Sequence, residues 1–173
     1  MNRVDTAVAE RRPLRFDSPD QLLADVERLA TAERAGTLRA TGNWTLGQAL
    51  GHLAAWVSYG YDGYPPMLRP PWIIKFLSRL AKKKYLTKTL KPGFRIPGLP
   101  MGTVGDEPLP TADALARFNA AWSRLRNAPP AKPNLLFGPL SHDEWINLHL
   151  RHAELHLGFF HPPASHPATA TDH

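Results

Sequence analysis

Three times in this chain a Ser or Thr is followed, three residues later, by Gln or Glu just ahead of an apolar run: Ser18 with Gln21, Thr45 with Gln48, and Ser141 with Glu144. In this capping box the hydroxyl accepts from a first-turn amide and the Gln or Glu reaches back to the capping residue, so each pair marks a helix start. Behind each start the apolar residues recur at three- and four-residue spacing, which a helix turns into one stripe. The first helix is expected from about Asp20 to Ala35, with Pro19 at its favoured first position, Leu22, Val26, Leu29 and Ala32 as its stripe, and Gly36 as its stop. The second is expected from about Leu46 to Tyr61, carrying Leu46, Leu50, Leu53 and Val57, and ended by Gly60, Gly63, Pro65 and Pro66. A third follows Pro110 and Thr111, with Leu115, Phe118, Trp122 and Leu125, until Pro129 and Pro130 stop it. The fourth runs from Ser141 to about His161, where Pro162 and Pro163 close it.

Strand signals are weak and no internal repeat is present. The expectation is therefore an all-α domain over residues 1–161, an antiparallel four-helix bundle, followed by a disordered tail over 162–173. Roughly ten residues join helices one and two, about fourteen join three and four, and almost fifty separate two from three. A crossover that long permits an up-down-down-up order. Within this insertion, about residues 64–110, Trp72, Ile73, Phe76, Leu77 and Leu80 alternate helically with basic residues, which predicts a short amphipathic helix from Pro71 to about Lys84. Pro92, Pro97 and Pro100 make the rest irregular.

The same insertion carries the charge. Nine basic residues lie between Arg69 and Arg95 with no acid among them, and removing them from the net charge of +6 leaves the rest of the chain at −3. A single basic segment without a recognisable module supports only nonspecific contact with nucleic acid, so no specific nucleic-acid partner is expected. Trp, Ile, Phe and Leu beside basic residues is also the composition of a helix lying on anionic lipid over residues 71–84, although a lid with a solvated basic face is the reading favoured here. No apolar stretch approaches the roughly 18 to 20 residues of a membrane span, and no apolar run follows the basic N-terminal residues, including Arg11 and Arg12. A cytoplasmic protein is the expectation.

With no cysteine in 173 residues there is no disulfide, thiolate ligand or protein thiol nucleophile, so a metal would have to be held by His, Asp or Glu. Eight histidines are present. Counting about 100° per residue from Trp145, His149, His152 and His156 fall within roughly 40° of it, alongside Leu148, Leu155 and Phe159, while Asn147, Arg151 and Glu154 are expected to point away. Three imidazoles along an apolar stripe cost free energy unless each finds a partner. His152 and His156, four residues apart, can converge on one ion, and His52 on the second helix, beside Ala49 and Trp56, can supply a third ligand if helices two and four are neighbours. Three imidazoles leave an open position, as in catalytic zinc-type sites, but do not distinguish Zn, Ni, Fe and Mn. The alternative is that these are core polar groups satisfied within the protein. His149 is either an alternative ligand or a group behind the ligands or facing substrate; His142 is expected to be exposed, and His161, His166 and His173 belong to the tail.

Other motifs fail. His152-Ala153-Glu154-Leu155-His156 places its Glu one position too late for H-E-x-x-H, and Leu155 occupies the Glu position of H-x-x-E-H. No G-x-S-x-G, P-loop or dinucleotide fingerprint occurs.

The segment Asn43-Trp44-Thr45-Leu46-Gly47-Gln48-Ala49-Leu50-Gly51-His52-Leu53, with the His152-x-x-x-His156 pair, resembles the DinB-like superfamily of DinB- and YfiT-like metalloenzymes. Within it the chain is most similar to a branch known only as a domain of unknown function. That closer likeness is carried by Leu14-Arg15-Phe16, Lys91-Pro92-Gly93-Phe94, Phe137-Gly138-Pro139-Leu140, and Glu144-Trp145 followed by Leu148-His149-Leu150-Arg151-His152. The resemblance implies an up-down-down-up four-helix bundle with His52, His152 and His156 as metal ligands. The sequence His156-Leu157-Gly158-Phe159 departs from the polar Arg-Gly-Gln that often follows the pair in the superfamily, and the basic insertion is not general in it.

By this resemblance the expected function is metal-dependent transfer or hydrolysis on a small molecule, with a low-molecular-weight thiol as a candidate cosubstrate and a pocket between Trp56, Trp145 and the insertion. The competing expectation is a non-catalytic metal-binding module, or a homodimer formed through the insertion.

Overall fold

The computed structural model describes residues 4–93, 96 and 102–164. Among them the chain is mostly helical. The helices are α1 (Pro19–Arg34), α2 (Leu46–Asp62), α3 (Trp72–Leu80), α4 (Lys82–Thr87), α5 (Thr111–Asn127) and α6 (His142–Leu157), and two short strands, β1 (Arg39–Ala40) and β2 (Phe160–His161), pair antiparallel. Pro97, Pro100 and residues 165–173 of the expected tail, with His166 and His173, lie outside the described residues.

The caps form as the sequence predicts, with one difference. Thr45 and Ser141 make complete capping boxes with Gln48 and Glu144. Ser18 Oγ accepts from the Gln21 amide at 3.3 Å, but Gln21 Oε1 accepts from Asp17 N rather than from Ser18 N. The reciprocal bond has moved one residue outward.

The stripes then meet. Leu22, Val26 and Leu29 of α1, Leu46, Leu50, Leu53 and Val57 of α2, Ala114, Phe118, Trp122 and Leu125 of α5, and Trp145, Leu150, Ala153 and Leu157 of α6 form one buried core. Burying each large apolar side chain contributes about 1.5–3 kcal/mol, so this shared core is what holds the four long helices together. α2 and α5 make the most extensive contact, and α2 also packs on α6, which brings His52 to face the last helix.

Three expectations about the last helix are corrected. It ends at Leu157 rather than near His161, because Gly158 caps it and the following residues pair with the chain after α1: Arg39 lies opposite His161 and Ala40 opposite Phe160. Arg151 and Glu154 do not point to solvent; each is 1% exposed. The segment before α1 covers them, with Phe16 N donating to Glu154 Oε1 at 2.6 Å, Arg151 donating to the Phe16 carbonyl, and the two side chains paired at 2.9 Å. His142 is also half-buried, its Nε2 lying 2.6 Å from the Leu125 carbonyl at the end of α5.

The insertion holds two short helices instead of one, broken at Ala81. α4 packs on α6, with the Lys82–Glu144 ion pair at 2.7 Å between them, and Leu86 of α4 is buried. Glu144 stands twelve residues before His156, which corresponds to roughly 18 Å along α6, so this ion pair lies well away from the histidine pair.

Candidate metal centre

Helix geometry sets two of the three side chains. His152 and His156 stand on successive turns of α6, and their Nε2 atoms lie 3.1 Å apart. His52 reaches across from α2, with its Nε2 3.2 Å from that of His152. One ligand atom from each of the three lies within 4.8 Å of the other two, so these three histidines could hold a metal ion. His52 is buried, and His152 and His156 are half-buried.

The far end of the insertion orients His52. Its Nδ1 lies 2.9 Å from the Val104 carbonyl oxygen, which can only accept, so the proton sits on Nδ1 and the Nε2 lone pair faces the other histidines. Val104 is held there by a close approach to α2. Gly105 has φ +76°, and a Cβ on it would lie 2.9 Å from the Ala55 Cβ and 3.2 Å from the Tyr59 hydroxyl. Gln48 Nε2 donates to the Asp106 carbonyl at 3.2 Å, and a Cβ on Gly47 would overlap the Leu109 carbonyl oxygen. A bare glycine on each side lets two backbones touch, and the contact fixes the tautomer of His52.

The three nitrogens cannot satisfy one another. With His52 Nε2 bare and the rings neutral, one proton at most fits among the three atoms without opposing another, leaving at least two lone pairs for one N–H. Protonation is not the remedy. Burial lowers the pKa of His52 to about 4, against the opposing effect of the Val104 carbonyl. Burial also pushes His152 and His156 well below the usual histidine range, reinforced at His152 by His156, His52 and His149 and at His156 by His52 and Arg11. A cation is the partner this arrangement suits. Tetrahedral ligands about 2.0–2.1 Å from an ion stand about 3.3 Å from one another, close to the 3.1 and 3.2 Å of the His152–His156 and His52–His152 pairs. No further His, Asp or Glu joins the group among the described residues.

Aromatic rings wall the cluster. Trp44 stacks on His156 with centroids 4.9 Å apart and planes 7° from parallel, and lies 5.0 Å from His52. Trp56 lies 5.9 Å from His52 and 5.8 Å from His152, and its indole N–H is buried without a partner among the described residues. Trp145 is placed elsewhere: it is fully buried in the core and stacks on His149 at 5.9 Å. His149 is not among the three grouped histidines; it sits between Trp145 and Trp122 with its Nε2 unpartnered among the described residues. A cavity of about 300 Å³ lined by Glu33, Leu38, Ala40, Leu46 and Phe160 adjoins the cluster only through Trp44.

Reasoning from sequence missed Val104 and Gly105, which act through backbone, and the stacking role of Trp44, whose only signal is its place before the Thr45 cap. Among the described residues no helix is long and apolar enough to cross a membrane. No curated protein and no solved structure matches the chain. A family model described as protein of unknown function, DUF1569, matches residues 8–163, and the chain belongs to that family.

Proposed function

We propose that the chain is a metal-dependent enzyme acting on a small molecule, with His52, His152 and His156 as the ligands of one divalent ion and one coordination position left open. The observation that carries this reading is the convergence of three neutral Nε2 atoms 3.1 and 3.2 Å apart, with too few protons to satisfy them. On the same reading the four long helices form the up-down-down-up bundle of the DinB-like superfamily. Bound there, Zn, Ni, Fe or Mn would supply a Lewis acid that lowers the pKa of a water or a low-molecular-weight thiol.

The protein's own groups have separable tasks. The Val104 carbonyl holds His52 in the ligating tautomer. Trp44 and Trp56 keep the surroundings apolar and brace the imidazoles, and the spare indole N–H of Trp56 is a donor for a bound molecule. Partial exposure at His152 and His156 gives substrate an approach. Transfer from a thiol and hydrolysis by water both fit this site.

Elemental mass spectrometry of untagged protein tests the centre. About one ion per chain is expected, lost in His52→Ala and His152→Ala and retained in His149→Ala; stoichiometric metal in His152→Ala would overturn the assignment. The open position is tested in the cobalt-substituted protein. A low-molecular-weight thiol should change its visible spectrum, whereas a spectrum indifferent to thiol and to small anions would make this a closed, non-catalytic metal module.

A further inference from the structure

α3 is amphipathic in the wrong sense for a helix that serves only its own domain. At about 100° per residue, Trp72, Phe76, Leu80, Ile73, Leu77 and Ile74 occupy an arc of roughly 200°, and Ser78, Lys75 and Arg79 fill the remainder. An ordinary surface helix turns the first arc inward. Here Lys75 and Ser78 are the half-buried residues, and the six apolar side chains are 42 to 76% exposed. The Arg79 guanidinium lies close enough to Gly138 that a Cβ there would be 3.3 Å from its Nε. Lys75 and Ser78 of the polar arc turn toward the protein, Arg79 is exposed with its guanidinium beside Gly138, and the apolar arc faces outward.

Scattered exposed apolar residues need no explanation, but six on one nine-residue helix form a contiguous patch of the kind that marks an interaction site. Charge selects the occupant. Arg69, Lys83, Lys84, Lys88 and Lys91 precede and follow α3 in the chain and are exposed, and from Arg69 to Lys91 the sequence has no acid. Within the described part of that stretch, Lys82 with Glu144 is the one ion pair. A second copy seated face to face would bring two such basic segments together without a counter-charge. An anionic surface neutralises them while taking up the apolar arc, with the long Lys and Arg stems lying along it.

We propose that the outward apolar face of α3, with the basic residues around it, docks this protein on anionic membrane surfaces. Apolar insertion and charge then act together. Each basic residue held near such a surface strengthens partitioning by about fivefold, and salt weakens that part of the binding. The proposal is independent of the histidine cluster.

Sedimentation with vesicles tests it, using phosphatidylglycerol and phosphatidylcholine in equal parts beside phosphatidylcholine alone, at low and physiological salt. The full-length protein should favour the anionic vesicles by roughly tenfold or more, and Phe76→Glu should lose most of that binding with metal content and circular dichroism unchanged. Lys83→Glu with Lys84→Glu should lose binding most clearly at low salt. No sedimentation with anionic vesicles, equal binding to both compositions, or binding untouched by Phe76→Glu would each overturn the proposal. A dimer in light scattering that Phe76→Glu dissociates, without vesicle binding, would overturn it and assign the face to a second copy.

Discussion

At the scale of single residues, the candidate centre depends as much on a backbone carbonyl as on its imidazoles. Gly105→Ala would force a side chain into a left-handed backbone conformation and set its Cβ 2.9 Å from Ala55, so the Val104 carbonyl should move away from His52 Nδ1. Loss of such an orienting bond typically weakens a metal site about 10- to 100-fold. Metal titration of chelator-treated protein should show a drop of that order with the helical circular dichroism retained; unchanged affinity would mean that His52 does not need Val104. Trp44→Ala should act more mildly, by about two- to fivefold, because stacking braces the His156 ring without fixing its proton. The histidines were legible in the sequence because i, i+4 spacing on a helix and a chain without cysteine left few other donors. Val104 was not, since a carbonyl 52 residues away carries no side-chain signal.

At the scale of elements, caps and periodicity located the four long helices to within a few residues, because both are local properties of the chain. What surrounds a helix is not local. Arg151 and Glu154 look like a solvated outer face from their helical phase, yet the segment before α1 has no periodicity to announce that it packs there. The consequence for stability is large. Glu154→Ala would leave the Arg151 guanidinium buried without its carboxylate and the Phe16 amide without an acceptor, and breaking a buried pair from one side costs about 3–5 kcal/mol. Arg151→Met with Glu154→Leu removes both charges, fills similar volume and should cost much less than Glu154→Ala alone. Urea denaturation of the three proteins distinguishes the cases, and equal losses would show that burial, not charge pairing, dominates this contact. The same lack of local signal explains why the helical phase of α3 was clear but its orientation was not. Periodicity shows that two faces differ, whereas contacts outside the helix, such as Arg79 beside Gly138, decide which of them meets the protein.

Across the whole molecule, neutral histidines in the core link folding to pH. His149 is 5% exposed between Trp122 and Trp145, and burial lowers its pKa to about 4. In the unfolded chain the same group titrates near 6.5. Between those values the unfolded state binds a proton that the folded state refuses, so this contribution is fully present above about pH 6.5 and is lost as pH falls toward 4. The slope approaches about 1.4 kcal/mol per pH unit for one such group, or about 3 kcal/mol over the window. His52 acts in the same sense in chelator-treated protein. Asp25 adds to the loss at lower pH: burial alone would raise its pKa, but hydrogen bonds from Arg12 and Arg28 outweigh this and hold it below the usual carboxylate value. Its share persists above the unfolded carboxylate range and disappears only as pH falls through the folded value. The two effects therefore separate by pH. The urea midpoint of chelator-treated protein should fall steadily from pH 7 to 4.5, and His149→Leu, which removes a buried unpartnered nitrogen, should flatten that fall without lowering the midpoint at pH 7 by much. A variant with the same slope as the parent would show that His149 is protonated in the folded state, and with it that the core around Trp145 admits water.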